Sequence, residues 1–370
     1  MSVTREQVVE ALRPVEDPEL HRSIVDLGML RDVQIEGGTV SILIALTIAG
    51  CPLRNEITNR VKGAVAPLAG VANVNLDFTV MTDQEREELR MKLHGDPGST
   101  AGQGQAHGHA EGRAIPFANP DNKTRPLLIS SGKGGVGKSS VTTNLAVALA
   151  AQGHTVGVLD ADIYGYSIPR MLGANTDPVA IDRMLLPSEA YGVRCISIGY
   201  FVPEGQAVVW RGPMLHKALE QFLTDVFWDE PDFLLIDMPP GTGDIALSLS
   251  QYLPKGEVYV VTTPQQAAQK VARLSAAMAT KVGLPVKGVI ENMSWFTGDD
   301  GKKYELFGSG GGQELADELN VPLLGQLPLV QQLREGGDDG HPIAAIAPES
   351  ETGKIFHDMA RMIAADNKPR

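Results

Sequence analysis

Cysteine is scarce. The chain has two in 370 residues, Cys51 and Cys195, too far apart for a disulfide framework or a local four-thiolate metal site. A metal cluster held by thiolates therefore needs a second chain. No run of eighteen apolar residues occurs, which excludes a membrane-spanning helix of ordinary length. The opening stretch, Met1 to Arg13, reads as a polar amphipathic helix and not as a signal peptide, so the expected location is the cytoplasm. A basic excess is missing as well. The formal charge of −13 repels nucleic-acid phosphate and anionic lipid, so neither nucleic acid nor membrane is an expected partner.

What is present is ordinary globular material: 43% apolar and 21% charged residues, enough for a large core and for two domains. Between Gly95 and Asn119 the text is rich in Gly, Ala and small polar residues and lacks apolar periodicity. Such a segment reads as a flexible linker with a span of about 25–30 Å. His107 and His109 within it have no fixed geometry to favour a metal. The expected boundaries are 1–94 for a small domain, 95–124 for the linker and 125–370 for a larger domain.

In the first segment, Arg31 to Glu36 and Thr39 to Ile48 alternate around Gly37-Gly38, the pattern of a β-hairpin. Pro52 to Leu68 reads as a helix and Val71 to Val80 as a third strand, giving a small α+β unit. Beyond the linker, the short apolar strands Leu127–Ser131, Thr155–Leu159, Phe233–Ile236, Glu257–Thr262, Val286–Ile290 and Pro322–Leu327 alternate with helix-length segments. This predicts an α/β fold with a mostly parallel sheet flanked by helices, whose ligands gather at the strands' carboxyl ends.

The first of these strands runs into Gly132-Lys133-Gly134-Gly135-Val136-Gly137-Lys138-Ser139, and a helix opens at Ser139 and Ser140. Glycines at this spacing let backbone N–H groups converge on phosphate oxygens, while the helix N-terminus adds positive potential. All of these residues, Gly132 to Ser140, form the expected nucleotide site, for ATP or secondarily GTP, with magnesium. Lys138 is expected to neutralise the β- and γ-phosphates and Ser139 to ligate the magnesium. Two acid stations follow at strand ends, Asp160-Ala161-Asp162 and Asp237. The second is delivered by the apolar run Leu234 to Ile236 and precedes a Pro/Gly-rich loop, as expected for the acceptor of a magnesium-bound water. Lys133 is an additional lysine among the glycines and suggests a charge presented across a subunit boundary.

Together GKGGVGKS, LDADIYGYSIP (Leu159 to Pro169), WRGPM (Trp210 to Met214), LLIDMPPGTGD (Leu234 to Asp244) and ENMSWF (Glu291 to Phe296) closely resemble the Mrp/ApbC family. These belong with the deviant-Walker ATPases that include MinD, ParA and the nitrogenase iron protein. The likeness spans about Pro126 to Ile363. The N-terminal motifs Asp17-Pro18-Glu19, Asp26-Leu27-Gly28 and Thr47-Ile48-Ala49-Gly50-Cys51-Pro52 resemble a SufT- or PaaD-like iron–sulfur assembly domain over about residues 5 to 82.

This resemblance implies an ATPase that carries iron–sulfur clusters to apo client proteins, working as a homodimer that sandwiches two nucleotides. It implies that Lys133 reaches the phosphates of the opposite subunit and that Asp162 orients the attacking water and lies beside the metal. Asn292 matches the adenine-reading asparagine, and Leu327-Pro328 is expected to pack on the base.

The resemblance fails at one place. Cluster-bearing members carry a Cys-x-x-Cys pair before Phe307-Gly308-Ser309-Gly310-Gly311-Gly312, and here the interval from Thr297 to Leu306 has no cysteine. Cys51 is the remaining candidate ligand for an iron–sulfur cluster, since a helix starting just after it stabilises a thiolate. Cys195 lies in an apolar strand-like stretch, where burial is expected. Two other readings stay open: a MinD- or ParA-like nucleotide switch without a cluster, and a small-molecule ligase or kinase on the same fold. The apolar positions Ile355, Phe356, Met359, Met362 and Ile363 of the last helix are expected to pack on the core instead of on a membrane.

Overall fold

The structure, a computed structural model, describes residues 3–48, 53–94, 115–163, 165–181, 183–202, 212–241 and 244–366. Ala49 to Pro52 with Cys51 among them, the linker from Gly95 through Ala114, Tyr164, Trp210-Arg211 and Thr242-Gly243, all singled out above, lie outside the described residues. The chain forms two compact units, Met1–Gln105 with Ala180–Leu186, and Ala106–Val179 with Pro187–Arg370.

In the first unit, helix α1 (Arg5–Leu12) begins where Thr4 and Gln7 exchange side-chain and backbone hydrogen bonds, a reciprocal cap that satisfies two otherwise orphaned donors. Strands β1 (Leu30–Glu36) and β2 (Thr39–Leu46) form the expected hairpin. Its turn, Gly37-Gly38, has φ of 53° and 87°, angles that glycine adopts without strain. Helix α2 (Arg54–Val65) crosses to β3 (Asn73–Val80), which pairs parallel with β2, and α3 (Asp83–His94) follows. Val40, Ile42 and Ile44 bury one face of the sheet, and Val8, Leu12, Ile57, Val61 and Val65 bury one stripe of each of the first two helices.

An acid pair in this unit makes its stability depend on pH. The Asp17 carboxylate is buried and accepts the N–H groups of Glu19 (2.9 Å) and Leu20 (3.0 Å). Burial first, and the neighbouring Asp17 charge second, push the Glu19 carboxyl from 4.5 up to about 7. A carboxyl whose folded value is raised contributes stability below its unfolded value and loses it as pH climbs through the folded value. Glu19→Gln is therefore expected to raise this unit's melting temperature at about pH 8 and to leave it nearly unchanged at about pH 5. An equal shift at both pH values, read by calorimetry, would count against it.

The second unit carries β4 (Arg125–Ser131), α4 (Lys138–Ala151), β5 (Val156–Asp160) and α5 (Ile168–Leu172). A short pair, β6 (Val179–Ile181) and β7 (Met184–Leu186), comes next in the chain, followed by β8 (Ser188–Ala190) and β9 (Val193–Ser197). Then come α6 (Gly212–Thr224), β10 (Phe233–Asp237), α7 (Asp244–Tyr252), β11 (Glu257–Thr262), α8 (Gln266–Lys281) and β12 (Val286–Asn292). The chain closes with β13 (Phe296–Thr297), β14 (Lys303–Tyr304), α9 (Gly311–Leu319), β15 (Leu323–Leu327), α10 (Gln331–Asp339), α11 (Ile343–Ile346) and α12 (Glu351–Ala365).

Eight strands form one sheet in the order β15-β12-β11-β4-β10-β5-β9-β8. Every pairing is parallel except the edge pair β8–β9. The strands expected from the sequence are β4, β5, β10, β11, β12 and β15, and β4 lies mid-sheet between β10 and β11. Helix α4 is buried along most of its length, with Val141, Leu145, Ala148 and Leu149 sealed against Leu127, Ile129, Val158 and Leu235. Phe356, Met359 and Ile363 of α12 join the same core, whereas Met362 is 45% exposed. Among the described residues no helix is long and apolar enough to cross a membrane.

Candidate functional site

The loop between β4 and α4 is shaped by two crowded glycines and two open ones. A Cβ on Gly132 would stand 2.2–2.5 Å from the backbone of Val271 and Ala272 in α8. A Cβ on Gly137, where φ is 83°, would stand 2.2 Å from Nδ2 of Asn292. Gly134 and Gly135 have open space where a Cβ would go, so the loop is packed from behind and free in front. That is the shape of a cradle whose backbone N–H groups face an anion.

Parallel pairing sets Asp237 in register with Asp160 at the ends of β10 and β5, and α4 begins beside them. Lys138 is 6% exposed and its Nζ lies 2.6 Å from Oδ2 of Asp237 and 3.5 Å from Oδ2 of Asp162. Ser139 donates its hydroxyl proton to the same Asp237 Oδ2 at 2.6 Å. Thr142 donates to the other oxygen, Oδ1, at 2.7 Å. Asp237 is itself fully buried. One lysine thus contacts two carboxyl groups, with Asp160 in register beside Asp237.

Those acids respond to burial and to one another. The Asp160 carboxyl is held well above the ordinary carboxylate range, first by burial and then by the Asp237 charge, with Lys138 pulling it partly back. It is satisfied by the Ser197 hydroxyl (3.0 Å) and by the N–H groups of Ser167 (3.2 Å) and Ile168 (3.3 Å). The Asp162 carboxyl is also raised by burial, against the pull of Lys138. A site with surplus negative charge and one cation suits an added divalent metal. Ser139 and Asp237 offer the hydroxyl and carboxylate oxygens that hard cations prefer. Among the described residues no three His, Cys, Asp or Glu side chains are grouped to hold a metal ion. Magnesium at this position would complete its shell with phosphate oxygens and water, as it ordinarily does.

Asn292 and Pro328 come together at the same edge, because β12 and β15 pair Asn292 with Leu327. Both are buried. The Asn292 amide donates to the Val136 carbonyl at 2.8 Å and accepts from Met293 N–H at 3.0 Å, so it braces the phosphate loop. Ser140 is half-buried, with its hydroxyl 4.0 Å from the Met171 sulfur. Lys133 points elsewhere: its Nζ lies 3.3 Å from Oε1 of Gln265 in its own chain.

Two features escape the sequence reading. Thr142 looks like an unremarkable helix residue, and only its position four residues past Lys138 hints at a place on the same face. Glu291 reads as a strand-end acid and is wholly buried, with no cationic partner among the described residues. Its carboxylate accepts from Ser294 Oγ (2.8 Å), Gln326 Nε2 (2.8 Å) and Gly312 N–H (2.5 Å). It therefore caps α9, the helix that follows the cysteine-free interval. That interval folds as the β13–β14 hairpin, pairing Phe296 with Tyr304 and Thr297 with Lys303. Cys195 is fully buried in β9, where burial pushes its thiol far up and makes it unreactive.

A family described as "ParA: NUBPL iron-transfer P-loop NTPase" matches residues 122–364, and one described as "Iron-sulfur cluster assembly protein" matches residues 5–76. The iron-sulfur cluster carrier protein of Mycobacterium leprae is 49% identical over 354 residues, covering 94% of this chain and 89% of that one. The protein of the same name from Bacillus subtilis is 38% identical and covers 98% of each. Among solved structures, the nucleotide-binding protein of Archaeoglobus fulgidus in complex with ADP is 33% identical. It covers 62% of this chain and 95% of that one, with a TM-score of 0.52.

Proposed function

Since the chain belongs to the family of NUBPL iron-transfer P-loop NTPases, we propose that it binds and hydrolyses ATP with magnesium and, as a homodimer, carries iron–sulfur clusters to apo client proteins. The domain division supporting this is an assembly-type domain over 1–94, a linker over 95–124 and the ATPase domain over 125–370. The observation that carries the reading is the buried Lys138–Asp237 pair beneath a glycine cradle. Lys138 exchanges its carboxylate partner for the β- and γ-phosphates when nucleotide enters the cradle. The Ser139 hydroxyl and Asp237 would hold magnesium here, which would supply charge neutralisation on those phosphates.

Asp162 then has its neighbour Lys138 turned toward phosphate and is left to orient the attacking water. Lys133 of the opposite subunit stabilises the charge that develops on the transferred phosphoryl group. Asn292, fixed against the loop by Val136, and Pro328 beside it form the edge against which the adenine rests.

The cluster is cargo, and its thiolates are few. With Cys195 sealed inside β9, Cys51 is the thiol left for ligation, one from each subunit. Protein reconstituted without oxygen is expected to retain iron and sulfide and to activate an apo client, and Cys51→Ala is expected to lose both. If the intact protein keeps neither metal nor sulfide, the carrier role falls. The cysteine-free hairpin at β13–β14 would then favour a cluster-free nucleotide switch.

A further inference from the structure

Two oxygens of one buried carboxylate face different tasks here. Oδ2 of Asp237 takes Lys138 Nζ and Ser139 Oγ, each at 2.6 Å, the two groups that leave it for phosphate and metal. Oδ1 takes the Thr142 hydroxyl at 2.7 Å. A carboxylate turns readily about its Cβ–Cγ bond, so once Oδ2 gives up both donors nothing in β10 itself dictates which oxygen faces the nucleotide. We propose that Thr142 is the positioning residue that does so. It anchors Oδ1 from beneath and leaves Oδ2 directed at the magnesium shell. The inference rests on the nucleotide reading given above and adds to it a residue outside the phosphate loop.

The chemistry favours this assignment over a merely structural threonine. Thr142 is fully buried on α4, one turn past Lys138 and three residues past Ser139, so all three reach the same carboxylate from one helix face. Its hydroxyl has one proton and two acceptors within reach, Asp237 Oδ1 at 2.7 Å and the Lys138 carbonyl at 3.0 Å. The carbonyl is already the ordinary acceptor of the helix at that position, and a helix threonine often back-bonds there. An ionised carboxylate at the shorter distance takes the stronger, charge-assisted bond. The hydroxyl thereby stiffens the group that magnesium approaches while touching neither phosphate nor metal.

The test uses the full chain with Thr142→Val, Thr142→Ser and Thr142→Ala. A fluorescent ADP analogue is titrated at rising MgCl2 to find the magnesium concentration that gives half-maximal nucleotide uptake. Wild type and Thr142→Ser, which keep the hydroxyl, are expected to coincide. Thr142→Val and Thr142→Ala are expected to need about tenfold more magnesium, the worth of one hydrogen bond to a charged group. Should the valine variant not fold, the serine and alanine pair differs in the hydroxyl alone and decides the matter. A lowered melting temperature with an unchanged magnesium requirement would make Thr142 a packing residue and overturn the proposal. If wild type itself takes up no nucleotide at any magnesium concentration, the nucleotide reading fails and takes this inference with it. A wild type that binds normally, with all variants matching it, defeats the inference alone.

Discussion

Lys138→Ala is expected to abolish nucleotide uptake and to destabilise the empty P-loop unit at the same time. The first effect follows from the loss of the cation proposed to face the β- and γ-phosphates, and at least about a hundredfold loss of affinity is expected when a buried charge-assisted contact of this kind is deleted. The second follows from what remains. Asp237 is fully buried, and Lys138 lies 2.6 Å from it. Removing one member of a buried pair leaves an uncompensated charge, at a cost of about 3–5 kcal/mol.

These two effects separate on pH. Asp160 and Asp162 are already held above their ordinary values, and Lys138 is the cation that opposes this. Without it Asp160 and Asp162 gain further preference for the protonated form, so the stability deficit should be greatest where they are ionised and should shrink as pH falls through their range. Nucleotide uptake should stay absent throughout. Calorimetry and binding of a fluorescent ATP analogue across pH measure the two quantities independently. Unchanged ATP affinity would remove Lys138 from the phosphate site.

How much of this was legible in the residues depends on whether the information is local. The strands of the large sheet are short apolar runs bounded by turns, and they lie where the pattern put them. The glycine cradle, Lys138 and Ser139 follow from a spacing that makes sense in one strand, one loop and one helix, and Asp237 follows from a second local signal, the apolar run Leu234 to Ile236 ahead of a Pro/Gly-rich loop. Thr142 was not legible, because its partner is ninety-five residues away and becomes a neighbour only when β10 pairs with β4. The same holds for Glu291, whose carboxylate meets the N–H of Gly312 across a hairpin of two-residue strands too short to show any periodicity. Asn292 illustrates a half-legible case. The family resemblance of the run Glu291 to Phe296 singled it out as a candidate site residue, yet its bond to the Val136 carbonyl depends on strand order.

Lys133→Ala is expected to bind nucleotide within about threefold of wild type and to lose at least about a hundredfold in hydrolysis, as removal of a charge-stabilising cation does in phosphoryl transfer. In the single chain the Lys133 ammonium is half-buried and rests 3.3 Å from the neutral Gln265 amide oxygen. Among the described residues it has no carboxylate partner. A partly desolvated cation with only an amide acceptor is poorly compensated, and a phosphate presented by a second subunit would satisfy it better.

That geometry makes a complementation experiment decisive between action within one chain and action across two. Lys133→Ala keeps the cradle lysine, and Lys138→Ala keeps the second lysine. If Lys133 acts in trans, a mixed dimer has one complete site, formed by the phosphate loop of the first variant and the Lys133 of the second. Equal mixing places half of the chains in such dimers, each with one working site, so about a quarter of wild-type turnover should return. If Lys133 acts within its own chain, neither site of the mixed dimer is complete and turnover stays at the level of the separate variants. Recovery would also be concentration-dependent, since it requires exchange of subunits, whereas any residual activity of either variant alone would not grow on mixing.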